Sequence, residues 1–187
     1  MGALRQPVLS SVLKTTGLLL SRVGCLAALM GLFGSGSSAQ QKLAEGSSGQ
    51  STVLAKEIVA AHNLLRNKIG VPPLVWSDEV AKSAQDWANT LLAKGAFTHR
   101  QGLQYGENLY AGSGFPATAH YVVNAWAEES RNYQYTVNKC SAVCGHYTQI
   151  VWRDTRAVGC GVARGANREV WVCNYAPYGN IVGERPY

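Results

Sequence analysis

The sequence predicts an α+β fold in which a small antiparallel sheet is covered by helices. Apolar residues recur at helical spacing in three segments that come first along the chain, and two short β-rich runs come last. Helices followed by a late hairpin are typical of layered α+β domains. With 187 residues and a hydrophobic fraction of 47%, the chain is long and apolar enough to build one such core.

The first predicted helix covers residues 51–69. Its apolar residues recur at spacings of four, three and four, which places them on one helical face: Leu54, Ile58, Ala61 and Leu65. Gly70 ends the pattern, and the two prolines that follow forbid its continuation.

Two further helices are predicted at residues 77–94 and 117–129. Ser77 is a natural N-cap for the second helix, and Gly95 ends it. Pro116 fits the first turn of the third helix.

The last third of the chain predicts a β-hairpin. Residues 157–163 and 170–175 are short β-rich runs, and the residues between them favour a turn. Cys160 lies on the first predicted strand and Cys173 on the second, so a disulfide between them is geometrically easy.

The first 39 residues have the pattern of a secretory signal peptide. Three basic residues precede an apolar run at residues 23–33, and small residues follow up to a cleavage site at Ala39. Eleven apolar residues are too few to cross a bilayer stably, so an uncleaved anchor is the weaker alternative. We therefore predict a secreted, extracellular protein without a stable transmembrane segment.

Composition divides the remainder into a linker and one domain. Residues 40–50 are rich in Gly, Ser and Gln and predict a flexible linker, so the folded domain is expected at residues 51–187. From residue 40 onward, 14 basic residues face 11 acidic ones, and no basic stripe with interleaved aromatics appears. We therefore expect no nucleic-acid partner and a monomeric domain.

Four cysteines remain after the signal peptide, which carries Cys25. They are Cys140, Cys144, Cys160 and Cys173. An even number in an exported chain favours disulfides, although four cysteines allow three pairings. Zinc ligation by all four is the competing interpretation, and it is weakened because only one close pair is present.

Several motifs occur together in a fixed order. HYTQIVW begins at His146, CNYAPYGN begins at Cys173, YGENL spans residues 105–109, and WAEE begins at Trp126. In order and spacing, this set resembles the CAP superfamily of cysteine-rich secretory proteins, antigen 5 and pathogenesis-related class 1 proteins, over about residues 52–187. The resemblance is strongest to the plant pathogenesis-related class 1 proteins, and it implies a secreted α-β-α sandwich.

The chain departs from those plant proteins in its cysteines. They carry six cysteines in three bridges, and two of the six positions fall near Gly95 and Gly165 here. The resemblance therefore implies that one bridge is absent and that Cys140–Cys144 and Cys160–Cys173 remain. The resemblance alone therefore does not assign a plant defence role to this chain.

The same resemblance implies a cleft lined by His99, Glu107, Glu129 and His146. Two imidazoles and two carboxylates are suitable ligands for zinc or another divalent cation. The alternative is a structural hydrogen-bond network that fixes loops against helices. His62, Asn63 and Arg66 are expected to serve as scaffold residues.

We expect a non-enzymatic binding or defence protein, because neither HExxH nor GxSxG occurs. A metal-dependent extracellular hydrolase or protease using the same His/Glu set is the alternative. Sterol or fatty-acid binding is implied by the resemblance, with residues 132–143 as the candidate segment. Release of a C-terminal peptide, residues 177–187, is a further possibility that the resemblance raises.

Overall fold

A computed structural model describes the backbone of residues 37–187 and the side chains from Thr52 onward. The predicted signal peptide therefore lies outside the described residues except for its last three. The helices are α1 (Ser37–Ile69), α2 (Asp78–Lys94), α3 (Ala119–Ala127) and α4 (Gly145–Ile150), with short 3₁₀ helices at Glu128–Asn132 and Tyr135–Val137. The strands are β1 (Val75–Trp76), β2 (Gly106–Gly112), β3 (Tyr133–Gln134), β4 (Lys139–Cys140), β5 (Ala157–Arg164) and β6 (Glu169–Ala176).

The fold confirms the predicted α+β class. A four-stranded sheet has the order β1-β5-β6-β2, and β3 and β4 form a separate two-stranded ribbon. The β5–β6 hairpin is present as predicted, but the sheet is mixed because β1 pairs parallel with β5. In the part of the chain that the structure describes, no helix is both long and apolar enough to cross a membrane.

Successive residues of the central strands point to opposite faces of the sheet, so the core has two layers. On β6, Trp171, Cys173 and Tyr175 join the larger cluster with α1, α3 and α4, whereas Val170 and Val172 join a smaller cluster with α2. This is the period of two expected for a strand that is covered on both faces. The helices therefore form the outer layers of an α-β-α sandwich.

Glycines on β5 allow α2 to approach the sheet closely. A Cβ atom added at Gly159 would lie 2.1 Å from the backbone nitrogen of Ala81, and one at Gly161 would lie 2.3 Å from the Cα atom of Gln85. Both distances are far below ordinary contact, so larger residues here would push the helix away. This close packing fixes the face of the sheet that carries part of the candidate site.

The predicted ends of α2 are confirmed. The Ser77 side chain accepts a hydrogen bond from the Val80 backbone, and Gly95 ends the helix in the left-handed conformation with φ 62°. The third helix starts later than predicted, because Thr118 rather than the region of Pro116 provides the N-cap.

The first helix begins earlier than predicted. It extends from Ser37, so residues 40–50, which composition predicted to be a linker, are helical in the structure. Most of these residues are adequate helix formers, and each of the two glycines costs only about 1 kcal/mol relative to alanine. Adding turns to an existing helix also avoids the cost of nucleation. The domain boundaries themselves remain predictions.

Candidate functional site

Glu107 lies on β2, at the edge of the four-stranded sheet. It is directly opposite Asn174 on β6, whereas its neighbour Asn108 is opposite Cys173. Because successive strand residues point to opposite faces, Glu107 lies on the α2 side and Asn108 lies on the side of the larger core cluster.

His99 and Glu107 form the first pair of the predicted site. His99 Nδ1 lies 2.7 Å from Glu107 Oε1, and the backbone N–H of Arg100 donates to the same oxygen at 3.1 Å. The side chain of His99 is 60% exposed, whereas that of Glu107 is only 5% exposed. A buried carboxylate therefore holds an imidazole whose other edge faces solvent.

Glu129 and His146 form the second pair. His146 Nδ1 lies 2.6 Å from Glu129 Oε1, and the backbone N–H of His146 donates to Oε2 at 2.9 Å. The imidazole also stacks on the indole of Trp126, with ring centroids 6.1 Å apart and planes at 20°. These three contacts fix both the position and the orientation of the ring.

Asn108, which follows Glu107 on β2, contacts the second pair. Its Nδ2 donates to the carbonyl of His146 at 3.1 Å and to the Tyr175 hydroxyl at 3.1 Å. The pairs nevertheless do not merge: within the described residues, no three His, Cys, Asp or Glu side chains are close enough together to hold a metal ion. The four predicted residues are thus brought together as two His–Glu pairs rather than as one four-residue cluster.

The donor chemistry of the pairs suits a divalent cation. Since each Nδ1–H donates to a carboxylate, each Nε2 carries the lone pair that a metal binds. Glu107 Oε2 is buried and has no hydrogen-bond partner within the described residues. Each pair therefore offers one Nε2 atom as a ligand, with Glu107 and Glu129 orienting the two rings.

A buried scaffold lies behind the site. His62 Nδ1 donates to the Ile58 carbonyl at 2.8 Å, and Nε2 accepts from the Tyr175 hydroxyl at 2.9 Å. Burial lowers the pKa of His62 to about 4 and raises the pKa of Tyr175 above its usual value, so both are neutral. Arg66 is also buried, and it donates to the carbonyls of Pro72, Ile150, Trp152 and Thr155. His62, Asn63 and Arg66 thus act as the predicted scaffold, since Asn63 in turn bonds the backbone of Leu74.

Two residues of the site were missed by the sequence reasoning. Asn108 bonds the backbone of His146, and Trp126 supports the ring of the same residue. The strand period could have indicated Asn108, because its neighbour Glu107 was already a candidate. Nothing in the sequence pattern indicated the stacking of Trp126.

Two disulfides are present, Cys140–Cys144 and Cys160–Cys173. The second joins residues that are directly opposite on β5 and β6, as the hairpin predicted. The competing zinc site of four cysteines is therefore wrong.

Two of the surface grooves in the described part of the chain have apolar residues in their walls and lie at possible lipid sites. One, of about 550 Å³, lies along α1 and is here named the α1 groove; its apolar walls are Val53, Leu54, Ala117, Ala119, Val162 and Trp171. The other, of about 270 Å³, lies between the predicted segment 132–143 and residues 180–186 of the tail.

A family model for cysteine-rich secretory proteins matches residues 59–175, which is more than half of the chain. The chain belongs to the CAP family. The match contains both His–Glu pairs and both strands of the hairpin. The CAP domain predicted from the motifs is therefore confirmed.

Plant pathogenesis-related proteins are among the relatives of this CAP domain. The tobacco (Nicotiana tabacum) pathogenesis-related protein 1A is 45% identical over 135 residues, which cover 71% of this chain and 80% of that protein. The pathogenesis-related protein 1 of Arabidopsis thaliana is 42% identical over 133 residues, covering 71% of this chain and 81% of that protein. These relatives place the chain with CAP proteins of the defence type.

Solved CAP structures share the fold. The venom allergen-like protein 4 of Schistosoma mansoni is 26% identical, with a TM-score of 0.59 over 71% of this chain and 92% of that chain. The crystal structure of NaASP2 with Zn²⁺ is 25% identical, with a TM-score of 0.60 over 72% of this chain and 84% of that chain.

In this CAP domain a hydrogen bond lies close to the place of the missing bridge. Arg168 Nη2 donates to the Ala96 carbonyl at 2.7 Å, next to both Gly95 and the turn that contains Gly165. Non-covalent contacts therefore hold the end of α2 to the β5–β6 turn.

Proposed function

We propose that the chain is a secreted, non-enzymatic CAP protein of the defence type that binds a sterol or fatty acid. The names of its plant relatives support the defence role. The two disulfides and the predicted signal peptide support an oxidising, extracellular destination.

The single observation that carries lipid binding is the α1 groove. Its volume of about 550 Å³ lies within the range of ligand pockets in proteins. Trp171 forms part of the wall and is 1% exposed, yet its indole Nε1 has no hydrogen-bond partner within the described residues. Because this N–H is enclosed, a ligand in the groove would contact the apolar wall residues rather than this donor.

Arg164 also lines the α1 groove and adds charge at one end. Its guanidinium lies 5.4 Å from the ring centroid of Trp171 and forms an ion pair with Glu169 at 3.0 Å. A fatty-acid carboxylate or a sterol hydroxyl in the groove can approach this cation. The α1 groove is a better candidate than the groove beside residues 132–143, because it has about twice the volume.

Lipid binding is tested by extraction of radiolabelled sterol and fatty acid from vesicles. Val53 lies in the groove wall and is 56% exposed, so Val53→Asp places a charge in the groove without disturbing the core. The matched control is Val182→Asp, which changes a 98% exposed valine outside the groove. We expect Val53→Asp to lower transfer about tenfold or more, since a charge in an apolar site costs over 1.4 kcal/mol. Equal transfer by both variants, or none by the unmodified protein, would contradict lipid binding in this groove.

We also propose that a divalent cation such as zinc binds through Nε2 of His99 and His146. A related protein, NaASP2, has a crystal structure with Zn²⁺. When bound, the cation would supply Lewis-acid chemistry, and Glu107 and Glu129 would keep both Nδ1 atoms protonated. Zinc is measured in the purified protein and in a His99→Ala, His146→Ala double variant. Equal and negligible zinc in both would rule the proposal out.

The alternative of a metal-dependent hydrolase is separated by a peptide-cleavage assay. Glu107→Gln removes the carboxylate that holds His99. Cleavage that is lost in this variant would support the hydrolase, whereas activity that survives the substitution indicates a contaminant.

A further inference from the structure

Two buried oxygen atoms without hydrogen-bond partners belong to residues that face each other on the sheet. They are Oε2 of Glu107 and Oδ1 of Asn174, and both lack a donor within the described residues. The two residues are directly opposite on β2 and β6. Side chains in this relationship share one face and have Cβ atoms about 5 Å apart. Two neighbouring acceptors without a donor between them are unfavourable in a buried position.

A half-turn of the Asn174 side-chain amide can give both oxygen atoms a hydrogen-bond donor. Its Nδ2 donates to the hydroxyl of Ser83 on α2 at 3.2 Å. A serine hydroxyl donates as readily as it accepts, and the two ends of an amide have nearly the same shape. With the amide turned over, Ser83 donates to Oδ1, and the NH₂ group is directed toward Glu107 Oε2.

We propose that Asn174 donates a hydrogen bond to Glu107 and is the residue that positions the Glu107–His99 pair. Glu107 then accepts from His99 and Arg100 at Oε1 and from Asn174 at Oε2. The functional consequence of this bond rests on the proposed cation site. A fixed carboxylate keeps the Nδ1 proton on His99 and leaves Nε2 for a ligand.

Arg100 joins the two ends of this hydrogen-bond network. Arg100 donates to the Ser83 hydroxyl through Nη1 at 3.4 Å, and its backbone N–H donates to Glu107. Arg100, in the loop after α2, is therefore bonded to Ser83 through its side chain and to Glu107 through its backbone. Since His99 is largely exposed and its ring bonds only to Glu107 within the described residues, the orientation of Glu107 determines that of His99.

The hydrogen bond itself is tested in the unmodified full-length protein by NMR. A scalar coupling across the hydrogen bond is expected between the Asn174 side-chain nitrogen and the carboxylate carbon of Glu107. If the Asn174 amide is observed and neither of its protons is hydrogen-bonded to Glu107, the proposal is overturned. This test requires no substitution.

The positioning role is tested through the tautomer of His99, read from its ring ¹⁵N shifts at a pH where the ring is neutral. Asn174→Leu removes the donor and keeps the branched shape of the side chain, and we expect His99 to change from Nδ1–H to a mixture of tautomers. His146 has its own partner, Glu129, so it serves as an internal control and should stay Nδ1–H. An unchanged His99 in a folded variant would overturn the proposal.

A double variant exchanges donor and acceptor. Asn174→Asp with Glu107→Gln is expected to restore the Nδ1–H tautomer that Asn174→Asp alone loses, and failure of this rescue would count against the direct bond. Zinc affinity is measured in parallel, with a loss of about tenfold expected for Asn174→Leu. If the unmodified protein binds no zinc, the cation site fails, and the tautomer and coupling results still decide the role of Asn174.

Discussion

Nε2 of His62 on α1 lies 2.9 Å from the hydroxyl oxygen of Tyr175 on β6, and both residues are fully buried. Nδ1 of the same ring donates to Ile58, so Nε2 must accept from the tyrosine. Asn108 donates to the tyrosine oxygen and to the His146 carbonyl. A chain of neutral groups therefore connects the first helix to the candidate site.

This arrangement makes stability depend on pH through His62. Burial lowers its pKa from 6.5 to about 4, so the unfolded chain binds more protons than the folded protein between these values. The free energy of unfolding therefore falls as the pH drops from 6.5 toward 4. The shift corresponds to about 3 kcal/mol, of which roughly 2–3 kcal/mol is lost by pH 4.5.

The measurement is chemical denaturation at pH 7 and pH 4.5, with His62→Gln for comparison. Carboxylates also titrate in this range, but they do so in both proteins, so the difference between the two pH dependences belongs to His62. We expect the variant to lose about 2–3 kcal/mol less than the unmodified protein. Equal losses of unfolding free energy in the two proteins would show that burial does not keep the His62 ring neutral.

Close contact between α2 and β5 predicts that Gly161 cannot be enlarged. An added Cβ atom would lie 2.3 Å from the Cα atom of Gln85, so the helix or the strand must move. We expect Gly161→Ala to lower the free energy of unfolding by about 3 kcal/mol or more.

Gly165→Ala is the matched control for this substitution. There the nearest atom would lie at 3.6 Å, an ordinary contact, and we expect a change within about 0.5 kcal/mol. Thermal or denaturant unfolding of both variants checks the prediction, and equal stabilities would contradict it.

How far the sequence predicted the fold depended on whether the signal was local. The α2 helix was predicted to the residue, because Ser77 and Gly95 act on their own ends of the helix. The β5–β6 hairpin was predicted because its strands are joined by a short turn. Strand β2 was not predicted as a strand, since Gly, Glu and Asn have low strand propensity and its partner β6 lies far along the chain.

The same difference between local and long-range signals applies to the candidate site. Resemblance of motifs named His99, Glu107, Glu129 and His146, and each is found beside another member of the set. Their division into two pairs follows from the elements that carry them: Glu107 lies on β2 beside the loop after α2, whereas Glu129 lies on the 3₁₀ helix Glu128–Asn132 beside α4, which carries His146. Such three-dimensional relationships are not visible in motif spacing.

The two disulfides are expected to contribute unequally to stability. Cys140–Cys144 closes a loop of four residues, whereas Cys160–Cys173 spans 13 residues and lies in the core. A bridge of the second kind contributes about 3 kcal/mol through the unfolded state. We expect Cys160→Ala with Cys173→Ala to lower the melting temperature far more than Cys140→Ala with Cys144→Ala. Similar melting temperatures for the two double variants would contradict this order.

Tyr187 is expected to hold residues 132–143 in place. Its ring stacks on Tyr135 with centroids 5.0 Å apart and planes at 11°, and its hydroxyl lies 3.1 Å from that of Tyr147. Tyr187→Ala removes both contacts, so we expect faster proteolytic cleavage within residues 132–143, measured by mass spectrometry. Tyr178→Ala is the control, because that ring is largely exposed and makes no such contact within the described residues.

Release of residues 177–187 would remove the same contacts, so cleavage after Ala176 should loosen the segment at least as much as Tyr187→Ala does. A protein in which Tyr187→Ala and Tyr178→Ala are cleaved at equal rates would show that the Tyr187 side chain does not stabilise this segment. The segment would then owe its structure to its other contacts, which include the Cys140–Cys144 bridge, the β3–β4 pairing, the hydrogen bond from Asn132 to the Val143 carbonyl and the hydrogen bonds donated by Arg185.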